Sequence, residues 1–429
     1  MHGNESVVIR PARNVLGSMR VPGDKSISHR YAMLAALAPG RSRFENYSPG
    51  ADCASTLGCV KALGCNVERD EKGAVVIDGI GPELKASTSQ LDCGNSGSTM
   101  RMLSGIVAAQ PFASELIGDE SLSRRPMKRV IEPLRKMGAE IAATDDHAPL
   151  HIKGTKLKAI EYAPPVASAQ VKTCLLFAGL LADGTTVVDE PTRTRDHGEL
   201  ALRAFGAQVS RNGNAVSIAG GQPLHPLEAF VPGDSSSAAF FLCAAAIFPE
   251  SNLVVDSVLL NPTRSALLDV LAAMGCRISM MRVEEYHGEL VGTIGMTASV
   301  NKPVEISGAQ TALLIDELPV LAAIAPYTAG MGVRDAGELR VKESDRLSAV
   351  TQNLKAMGAE VGQTADGWKI PGGQKLHGAE IDSFGDHRIA MAFAIGALRA
   401  EGETVIRGSE CVAISYPRFF RDLEAVVER

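Results

Sequence analysis

The sequence predicts an α/β protein of two pseudo-symmetric domains, and three observations support this prediction. At 429 residues the chain is longer than one hydrophobic core usually supports. The segment Val21-Pro22-Gly23-Asp24 returns 210 residues later as Val231-Pro232-Gly233-Asp234, and an alanine-rich apolar run follows each copy. Two types of helical segment alternate along the chain. We therefore expect six α/β units of about 70 residues each, three in each domain.

The first segment type reads as an amphipathic helix that ends at a glycine and leads into a strand. Its pattern is Leu-x-x-Met/Leu/Phe-Gly-Ala/Cys-x-Val/Ile, and glycine supplies the left-handed backbone at the end of the helix. A shorter copy covers Phe419–Val427. The five full copies cover Lys61–Val67, Leu134–Ile141, Leu202–Val209, Leu271–Ile278 and Leu354–Val361.

The second segment type is apolar on nearly every face and opens on polar residues. Ile389–Leu398 is an example, and its hydrophobicity predicts a buried helix. Strand-like runs such as Ala74–Ile77, Thr185–Val188 and Leu253–Val255 lie between the helices. The polar openings are Lys25-Ser26, Asn95-Ser96, Ala169-Gln170, Ser235-Ser236, Asp316-Glu317 and Asp386-His387-Arg388.

The two Pro-Gly-Asp segments mark the expected domain boundaries. We expect an N-terminal lobe over residues 22–231 and a C-terminal lobe that joins residues 1–21 to 232–429. This division requires the first strands to pair with strands that follow the second Pro-Gly-Asp segment. The two crossings of the chain would then form a two-strand hinge.

Composition and cysteine spacing argue against several classes of function. The net charge of -6 disfavours nucleic acid as a partner, because phosphate backbones are bound by basic surfaces. No apolar run approaches the roughly 20 residues of a membrane span, and the start of the chain lacks signal-peptide features. The eight cysteines lack metal-ligand spacing, so we interpret them as reduced thiols of a cytoplasmic protein.

Polar residues at the starts of buried helices predict an anion-binding site. A helix N-terminus offers unpaired N–H groups and a partial positive charge, and the Gly/Ser-rich segment Cys93–Arg101 suits such a site. Arginines stand beside helix starts at Arg124-Arg125, Lys342–Arg346 and Asp386–Arg388. Taken singly, each feature is also consistent with an ordinary turn, an N-cap or a surface ion pair. The candidate proton carriers are Lys25, Asp316, Glu343 and His387, and no motif indicates a metal or an organic cofactor.

Taken in order, these motifs resemble the 5-enolpyruvylshikimate-3-phosphate synthase family, which belongs to the enolpyruvyl transferases. The likeness spans essentially the whole chain. It rests on Pro22–Arg30, Gly94–Arg101, Arg125-Pro126, Ser168–Gln170, Asp316, Arg340–Arg346 and Asp386–Arg388.

The resemblance implies both a fold and a reaction. The expected fold has two inverse, barrel-like α/β domains, each built from three βαβαββ units, that close around two anionic substrates. The expected reaction transfers the enolpyruvyl group of phosphoenolpyruvate to the 5-hydroxyl of shikimate 3-phosphate and releases phosphate. We expect a monomer that needs no cofactor and no metal.

The resemblance also implies roles for individual residues. We hypothesise that Asp316 is the base toward the 5-hydroxyl, that Glu343 with Lys25 handles protons at the enolpyruvyl carbons, and that His387 lies nearby. The shikimate 3-phosphate contacts are expected from Lys25, Ser26, Arg30, Ser168, Ala169, Gln170, Arg195, Asp316 and Lys342. The phosphoenolpyruvate contacts are expected from Lys25, Gly97, Arg125, Gln170, Glu343, Arg346 and Arg388.

Some positions depart from the pattern of the family. Ile414 stands where many members have a lysine, which removes one possible phosphoenolpyruvate contact. Glu338 stands where many have Asn, and Ala169 where many have Ser. Gly97 leaves room in the expected phosphoenolpyruvate pocket, so we expect a glyphosate-type inhibitor to fit there.

Two other functions remain open from the sequence. The sister enzyme that acts on UDP-N-acetylglucosamine is similar, but it carries Lys-Asn where this chain has Lys25-Ser26, and a reactive cysteine where this chain has Glu120. A non-catalytic anion-binding protein could also keep the scaffold, yet it would be expected to lose Asp316 and Glu343.

Overall fold

The computed structural model describes residues 5–298 and 302–429, so residues 1–4 of the expected C-terminal lobe lie outside the described ranges. The chain divides into two compact units. We call Gly23–Val231 together with Tyr286–Glu289 the N-lobe. The C-lobe comprises Met1–Pro22, Pro232–Glu285 and Leu290–Arg429.

Helices and short strands alternate along the chain. The strands are β1 (Ser6–Ile9), β2 (Asn14–Arg20), β3 (Gly40–Glu45), β4 (Asn66–Arg69), β5 (Val75–Gly79), β6 (Leu91–Asp92), β7 (Ala113–Ile117), β8 (Glu140–Thr144), β9 (His147–Lys153), β10 (Glu161–Tyr162), β11 (Thr185–Asp189), β12 (Val209–Asn212), β13 (Ala215–Ala219), β14 (Glu228–Phe230), β15 (Asn252–Leu259), β16 (Arg277–Tyr286), β17 (Glu289–Thr297), β18 (Val304–Ile306), β19 (Gly330–Val333), β20 (Gly362–Gln363), β21 (Trp368–Pro371), β22 (Glu380–Asp382), β23 (Thr404–Arg407) and β24 (Val427–Glu428). The α-helices are α1 (Lys25–Leu37), α2 (Ala51–Ala62), α3 (Gly97–Val107), α4 (Glu120–Ser123), α5 (Lys128–Lys136), α6 (Ala169–Leu180), α7 (His197–Ala204), α8 (Ser235–Ala246), α9 (Ala266–Met274), α10 (Ala309–Leu314), α11 (Leu318–Ile324), α12 (Arg346–Ala356), α13 (His387–Ala397) and α14 (Phe419–Glu424). Short 3-10 helices cover Ala325–Tyr327, Gly337–Val341 and Ser409–Ile414.

The N-lobe repeats one sheet arrangement three times. Each sheet starts with a parallel pair, and its other two neighbouring pairs are antiparallel. In the units that begin with β6 and β10, helices follow each of the first two strands, which gives the expected βαβαββ order along the chain. In one sheet β14, from the far end of the lobe, supplies the first strand. The strand orders are β14-β3-β5-β4, β6-β7-β9-β8 and β10-β11-β13-β12.

The C-lobe also has three sheets, of five, four and three strands, and two of their strands come from the start of the chain. Strand β2 pairs in parallel with β15, and β1 pairs in antiparallel fashion with β23. The lobe is therefore discontinuous in sequence. Its strand orders are β16-β17-β15-β2-β24, β18-β19-β21-β20 and β1-β23-β22. The α/β fold class expected from the sequence is confirmed.

The helix–glycine–strand pattern is also confirmed. Each amphipathic helix ends immediately before its glycine or one residue earlier, and each glycine has a positive φ that favours glycine at a helix end. The helices are α2, α5, α7, α9 and α12, and the glycines are Gly64, Gly138, Gly206, Gly275 and Gly358, with φ angles of 101°, 109°, 97°, 111° and 84°.

The small-residue helices are buried, as their composition predicts, and most of them start at a capping side chain. Such a cap accepts hydrogen bonds from backbone N–H groups that would otherwise have no acceptor at the start of a buried helix. Helix α11 begins directly after Asp316-Glu317, as expected, with Glu317 at its N-cap position but without a side-chain capping hydrogen bond. The Asp316 carboxylate lies 3.4 Å from Lys342 Nζ and 3.5 Å from Arg346 Nη1. The caps are Asp24 on α1, Ser96 on α3, Ser168 on α6, Asp234 on α8 and Asp386 on α13.

Within the described ranges, no helix is both long enough and apolar enough to cross a membrane. All eight cysteines are free thiols, and all but Cys411 are buried.

A buried ion cluster fixes α6 against its neighbours in the N-lobe. The ammonium of Lys172, 0% exposed, lies 2.9 Å from Glu190 Oε2 and 3.0 Å from Glu199 Oε1. Arg211 contacts the same two carboxylate oxygens at 3.2 and 2.6 Å. Two cations therefore pair with two buried glutamates, and this pairing offsets the free-energy cost of burying the four charges.

We expect Lys172→Met to lower the free energy of unfolding by roughly 3–5 kcal/mol, because it leaves two buried glutamates to one arginine. The control is Lys153→Met, whose side chain is 67% exposed and pairs with Glu140 on the surface. It should cost less than about 1 kcal/mol. Urea unfolding of both variants measures the difference. Equal destabilisation would contradict the claim that Lys172 stabilises the fold more than a lysine in a surface ion pair.

Candidate active site

The start of α1 gathers three of the residues expected at the site. Lys25 Nζ lies 2.8 Å from Asp52 Oδ2, so the first residue of α1 is tied to α2. Ser26 is half-buried, and its carbonyl oxygen accepts a hydrogen bond from Arg30 Nη1 at 2.9 Å. Arg30 also donates to Thr173 Oγ1 on α6 at 2.9 Å. Burial lowers the pKa of Arg30 to about 10, so its guanidinium still carries a positive charge at neutral pH.

The start of α3 brings Gly97 next to two arginines. A Cβ atom at Gly97 would lie 2.9 Å from Arg101 Nη1 and 3.5 Å from Arg125 Nη1. Glycine therefore lets both guanidiniums approach the first turn of the helix. Arg125 donates to the side-chain and backbone oxygens of Asn95 at 2.8 and 3.2 Å.

The start of α6 is joined to α3 through a glutamine. Ser168 caps α6 and Ala169 is its first residue. Gln170 Oε1 accepts from Arg101 Nη1 at 2.8 Å, and Gln170 Nε2 donates to Ser98 Oγ at 2.9 Å. The starts of α1, α3 and α6 therefore belong to one polar cluster of the N-lobe.

Arg195 belongs to the same cluster. It lies in the segment before α7, is half-buried, and is close enough to Arg30 for its charge to lower the Arg30 pKa. The N-lobe residues expected to contact substrate are thus brought together, and among the named side chains positive charge exceeds negative charge.

A buried hydrogen-bonded chain ties the helix starts of the N-lobe together. His29 Nδ1 lies 2.6 Å from Thr56 Oγ1, which lies 2.7 Å from Thr99 Oγ1. Thr99 Oγ1 donates to Ser96 Oγ, the cap of α3, at 2.7 Å. Burial and the charges of Lys25 and Arg30 hold the pKa of His29 well below its ordinary value, so its ring is neutral at neutral pH.

The C-lobe gathers its expected residues around Arg346, which is 1% exposed. Its Nη2 donates to Glu343 Oε2 at 2.6 Å, and its Nε donates to Asp386 Oδ2 at 2.7 Å. Its Nη1 lies 3.5 Å from Asp316 Oδ1. One buried guanidinium therefore holds three carboxylates.

The charges of this cluster stabilise each other. Burial alone would lower the pKa of Arg346, but the charges of Asp386, Glu343 and Asp316 raise it above its ordinary value. Burial alone would raise the pKa of Asp386, but Arg346 brings it below its ordinary value. Arg346 and Asp386 are therefore an ionised pair, and this pair anchors the first turn of α12 to the first turn of α13.

Two further cations surround Asp316. Lys342 Nζ lies 3.4 Å from Asp316 Oδ1, and Arg388 Nη1 donates to the carbonyl oxygen of Asp316 at 2.9 Å. His387 is the first residue of α13 and is buried. The C-lobe thus brings together Asp316, Lys342, Glu343, Arg346, His387 and Arg388, all of which the resemblance implied.

Several residues of these clusters were missed from the sequence. Asp52 gave no local signal, because its pairing with Lys25 depends on how α2 packs on α1. Arg101 stood inside a quoted motif without a role, although its spacing of four residues from Gly97 places both on one helix face. Asp386 was also quoted only as part of a motif. No group of three or more His, Cys, Asp or Glu in the described ranges could hold a metal ion.

Comparison with known proteins assigns the chain to a family. The family model of EPSP synthase (3-phosphoshikimate 1-carboxyvinyltransferase) matches residues 9–423. The chain belongs to the EPSP synthase family. A solved structure of EPSP synthase from Acinetobacter baumannii has a TM-score of 0.88 at 40% identity, and the match covers 99% of this chain and 98% of that one.

Relatives with the same family name match over nearly the full length. The 3-phosphoshikimate 1-carboxyvinyltransferase of Koribacter versatilis is 63% identical, with 99% of this chain and 100% of the relative covered. That of Solibacter usitatus is 52% identical, with 98% and 99% covered. The enolpyruvyl transferase NikO from Streptomyces tendae, at 18% identity and a TM-score of 0.80 over 99% of this chain and 98% of that one, shares the fold.

We expect the neutral state of His29 to make stability depend on pH. Below about pH 6.5 the His29 imidazole binds a proton in the unfolded state but stays neutral in the folded state. The free energy of unfolding therefore falls as pH falls. Between about pH 7.5 and pH 5.5 this loss should be roughly 1.4 kcal/mol. Urea unfolding at both pH values should show that His29→Gln is less sensitive to pH than the wild type by this amount.

The control for this measurement is His151→Gln, because the His151 side chain is 56% exposed and lies outside the network. It should keep the pH dependence of the wild type. A His29→Gln variant that also keeps it would contradict a neutral, buried His29.

Proposed function

We propose that this chain transfers the enolpyruvyl group of phosphoenolpyruvate to the 5-hydroxyl of shikimate 3-phosphate and releases phosphate. The observation that supports this most is the concentration, at the starts of buried helices in both lobes, of the side chains that the resemblance implied for substrate contact. Membership in a family named for this transfer supports it as well.

The charge of the substrates explains the composition of the N-lobe cluster. Both substrates are anions that repel each other, so cations must offset this repulsion before the reacting atoms can meet. In our proposal Lys25, Arg30, Arg125 and Arg195 supply that charge, and Ser26, Gly97 and the residues Ser168–Gln170 add hydrogen-bonding groups at helix N-termini. Arginine suits this role because its planar fork can bind phosphate or carboxylate through two hydrogen bonds.

The reaction requires two proton transfers in the addition step and two in the elimination step. The 5-oxygen bonds to C2 of phosphoenolpyruvate and loses its proton, while a proton is added to the methylene carbon. The resulting tetrahedral intermediate then loses a proton from its new methyl group. The bond from C2 to the phosphate oxygen breaks, the double bond returns, and the phosphate takes up a proton and leaves as inorganic phosphate. A base toward the hydroxyl and an acid at the methylene carbon are therefore needed.

The C-lobe carboxylates fit these two roles. We assign Asp316 as the base toward the 5-hydroxyl. We assign proton transfer at the methylene carbon to Glu343 together with Lys25. In this proposal Lys342 orients shikimate 3-phosphate, while Arg346 and Arg388 bind phosphoenolpyruvate beside the buried His387.

We also propose that the chain acts as a monomer in the cytoplasm, without nucleic acid. One chain carries every side chain that the proposal uses. The eight free thiols suit a reducing compartment, and the net charge of -6 disfavours binding to phosphate backbones.

Release of inorganic phosphate from phosphoenolpyruvate tests the function directly. The purified protein should release phosphate only when shikimate 3-phosphate is also present. Release with UDP-N-acetylglucosamine in its place would identify the sister activity instead. Absence of release with either acceptor, despite binding of phosphoenolpyruvate, would favour the non-catalytic alternative.

In the same assay, Asp316→Ala and Glu343→Ala should each lower turnover by roughly 10²-fold or more, the usual scale for loss of a general acid or base. Glu360→Ala is the matched control, because it removes an exposed carboxylate of the C-lobe outside the cluster. Near wild-type turnover in either cluster variant would refute the role given to that carboxylate.

A further inference from the structure

The second Pro-Gly-Asp copy keeps its capping residue but has lost the cationic residues of the first. Asp234 accepts hydrogen bonds from the N–H groups of Ser236 and Ser237, as Asp24 accepts one from the N–H of Ile27. Where the first copy has Lys25, Ser26 and Arg30, the second has Ser235, Ser236 and Phe240. Nothing in the proposed reaction yet explains the serines of the second copy.

Ser236 connects a buried arginine to a buried glutamate. Arg264 Nη2 lies 2.8 Å from Ser236 Oγ, and Ser236 Oγ also contacts Glu317 Oε1. A guanidinium can only donate, so Ser236 accepts from Arg264 and its own hydroxyl proton points to Glu317. All three side chains are buried, which makes these charge-assisted hydrogen bonds stronger than they would be in water.

Glu317, which is held by Ser236, lies next to two residues of the proposed site, Asp316 and Arg388. It follows Asp316 in the chain, between α10 and α11. Its Oε1 lies 3.9 Å from Arg388 Nη1, the same nitrogen that donates to the Asp316 carbonyl oxygen at 2.9 Å. The Glu317 carboxylate therefore attracts the Arg388 guanidinium toward the backbone of residue 316.

We propose that Ser236 and Arg264 are positioning residues for the enolpyruvyl transfer. They hold the Glu317 carboxylate, and Glu317 holds the guanidinium of Arg388 where it can bind phosphoenolpyruvate. The second copy of the duplicated motif thus supports the substrate-binding arginine of its own lobe instead of binding substrate itself. This inference rests on the proposed function, because Arg388 has a substrate only if that function holds.

Ser236→Ala is the decisive variant, since it removes the hydroxyl and little else. It should raise the KM for phosphoenolpyruvate about tenfold, the effect of losing one hydrogen bond to a charged group. The KM for shikimate 3-phosphate should change much less, because the restraint acts on Arg388. Ser236→Thr keeps the hydroxyl and should restore the KM for phosphoenolpyruvate.

Ser235→Ala is the matched control in the same helical turn. The hydroxyl of Ser235 is buried and has no hydrogen-bond partner in the part of the chain that the structure describes. This variant should keep both KM values. An equal rise in Ser235→Ala, or a Ser236→Ala variant with a lower thermal midpoint but an unchanged KM for phosphoenolpyruvate, would overturn the inference.

Crystal structures separate failure of this inference from failure of the proposed function. If the wild type releases no phosphate, the proposed function fails whatever the variants do. The positioning claim is then judged from the crystal structures of the wild type and Ser236→Ala. Displacement of the Arg388 guanidinium in the variant supports the claim, and an unchanged guanidinium refutes it.

Discussion

The constraint on which the rest of this structure depends is that a buried helix must still satisfy its first backbone N–H groups. The small-residue helices are apolar on nearly every face, so their starts are where polar side chains must be placed. Asp24, Ser96, Ser168, Asp234 and Asp386 meet this need as caps. The same starts carry a partial positive charge, and arginines and serines lie near them. Both features make these starts suited to binding anions. Structural need and binding chemistry therefore fall on the same helix starts.

Charge balance in the interior determines how these residues are held. Arg346 is buried among three carboxylates, and Lys172 is buried between two. A lone buried charge would be costly, so each cluster is stable only while its partners are present. Arg346 and Lys172 thereby fix the relative placement of helices within their lobes. Glu317 illustrates this most clearly. Its partner Ser236 lies on α8, and Arg264, which donates to Ser236, lies in the segment before α9.

Local pattern was enough to predict much of this architecture. The glycine after each amphipathic helix and the hydrophobic bodies of the buried helices are short-range signals, and both were confirmed in the structure. Pairs that join different elements could not be predicted in this way. Asp52 pairs with Lys25, and Arg101 with Gln170, only after the helices pack. Asp316 was a candidate proton carrier or an ordinary cap from its local sequence, and its ion pairs with Lys342 and Arg346 depend on tertiary packing. The residues of the site were recognised as an ordered set of motifs, whereas their partners depend on the fold.

We propose that these charged helix starts bind two anionic substrates for an addition followed by an elimination, in which a proton is added to the methylene carbon of phosphoenolpyruvate. Turnover in D2O tests it most directly. We expect deuterium to enter the methylene group of the enolpyruvyl product, detected by mass spectrometry, because the methyl group of the intermediate must gain a solvent-derived proton before losing one. Product that forms at a normal rate without any deuterium in that methylene group would contradict this mechanism.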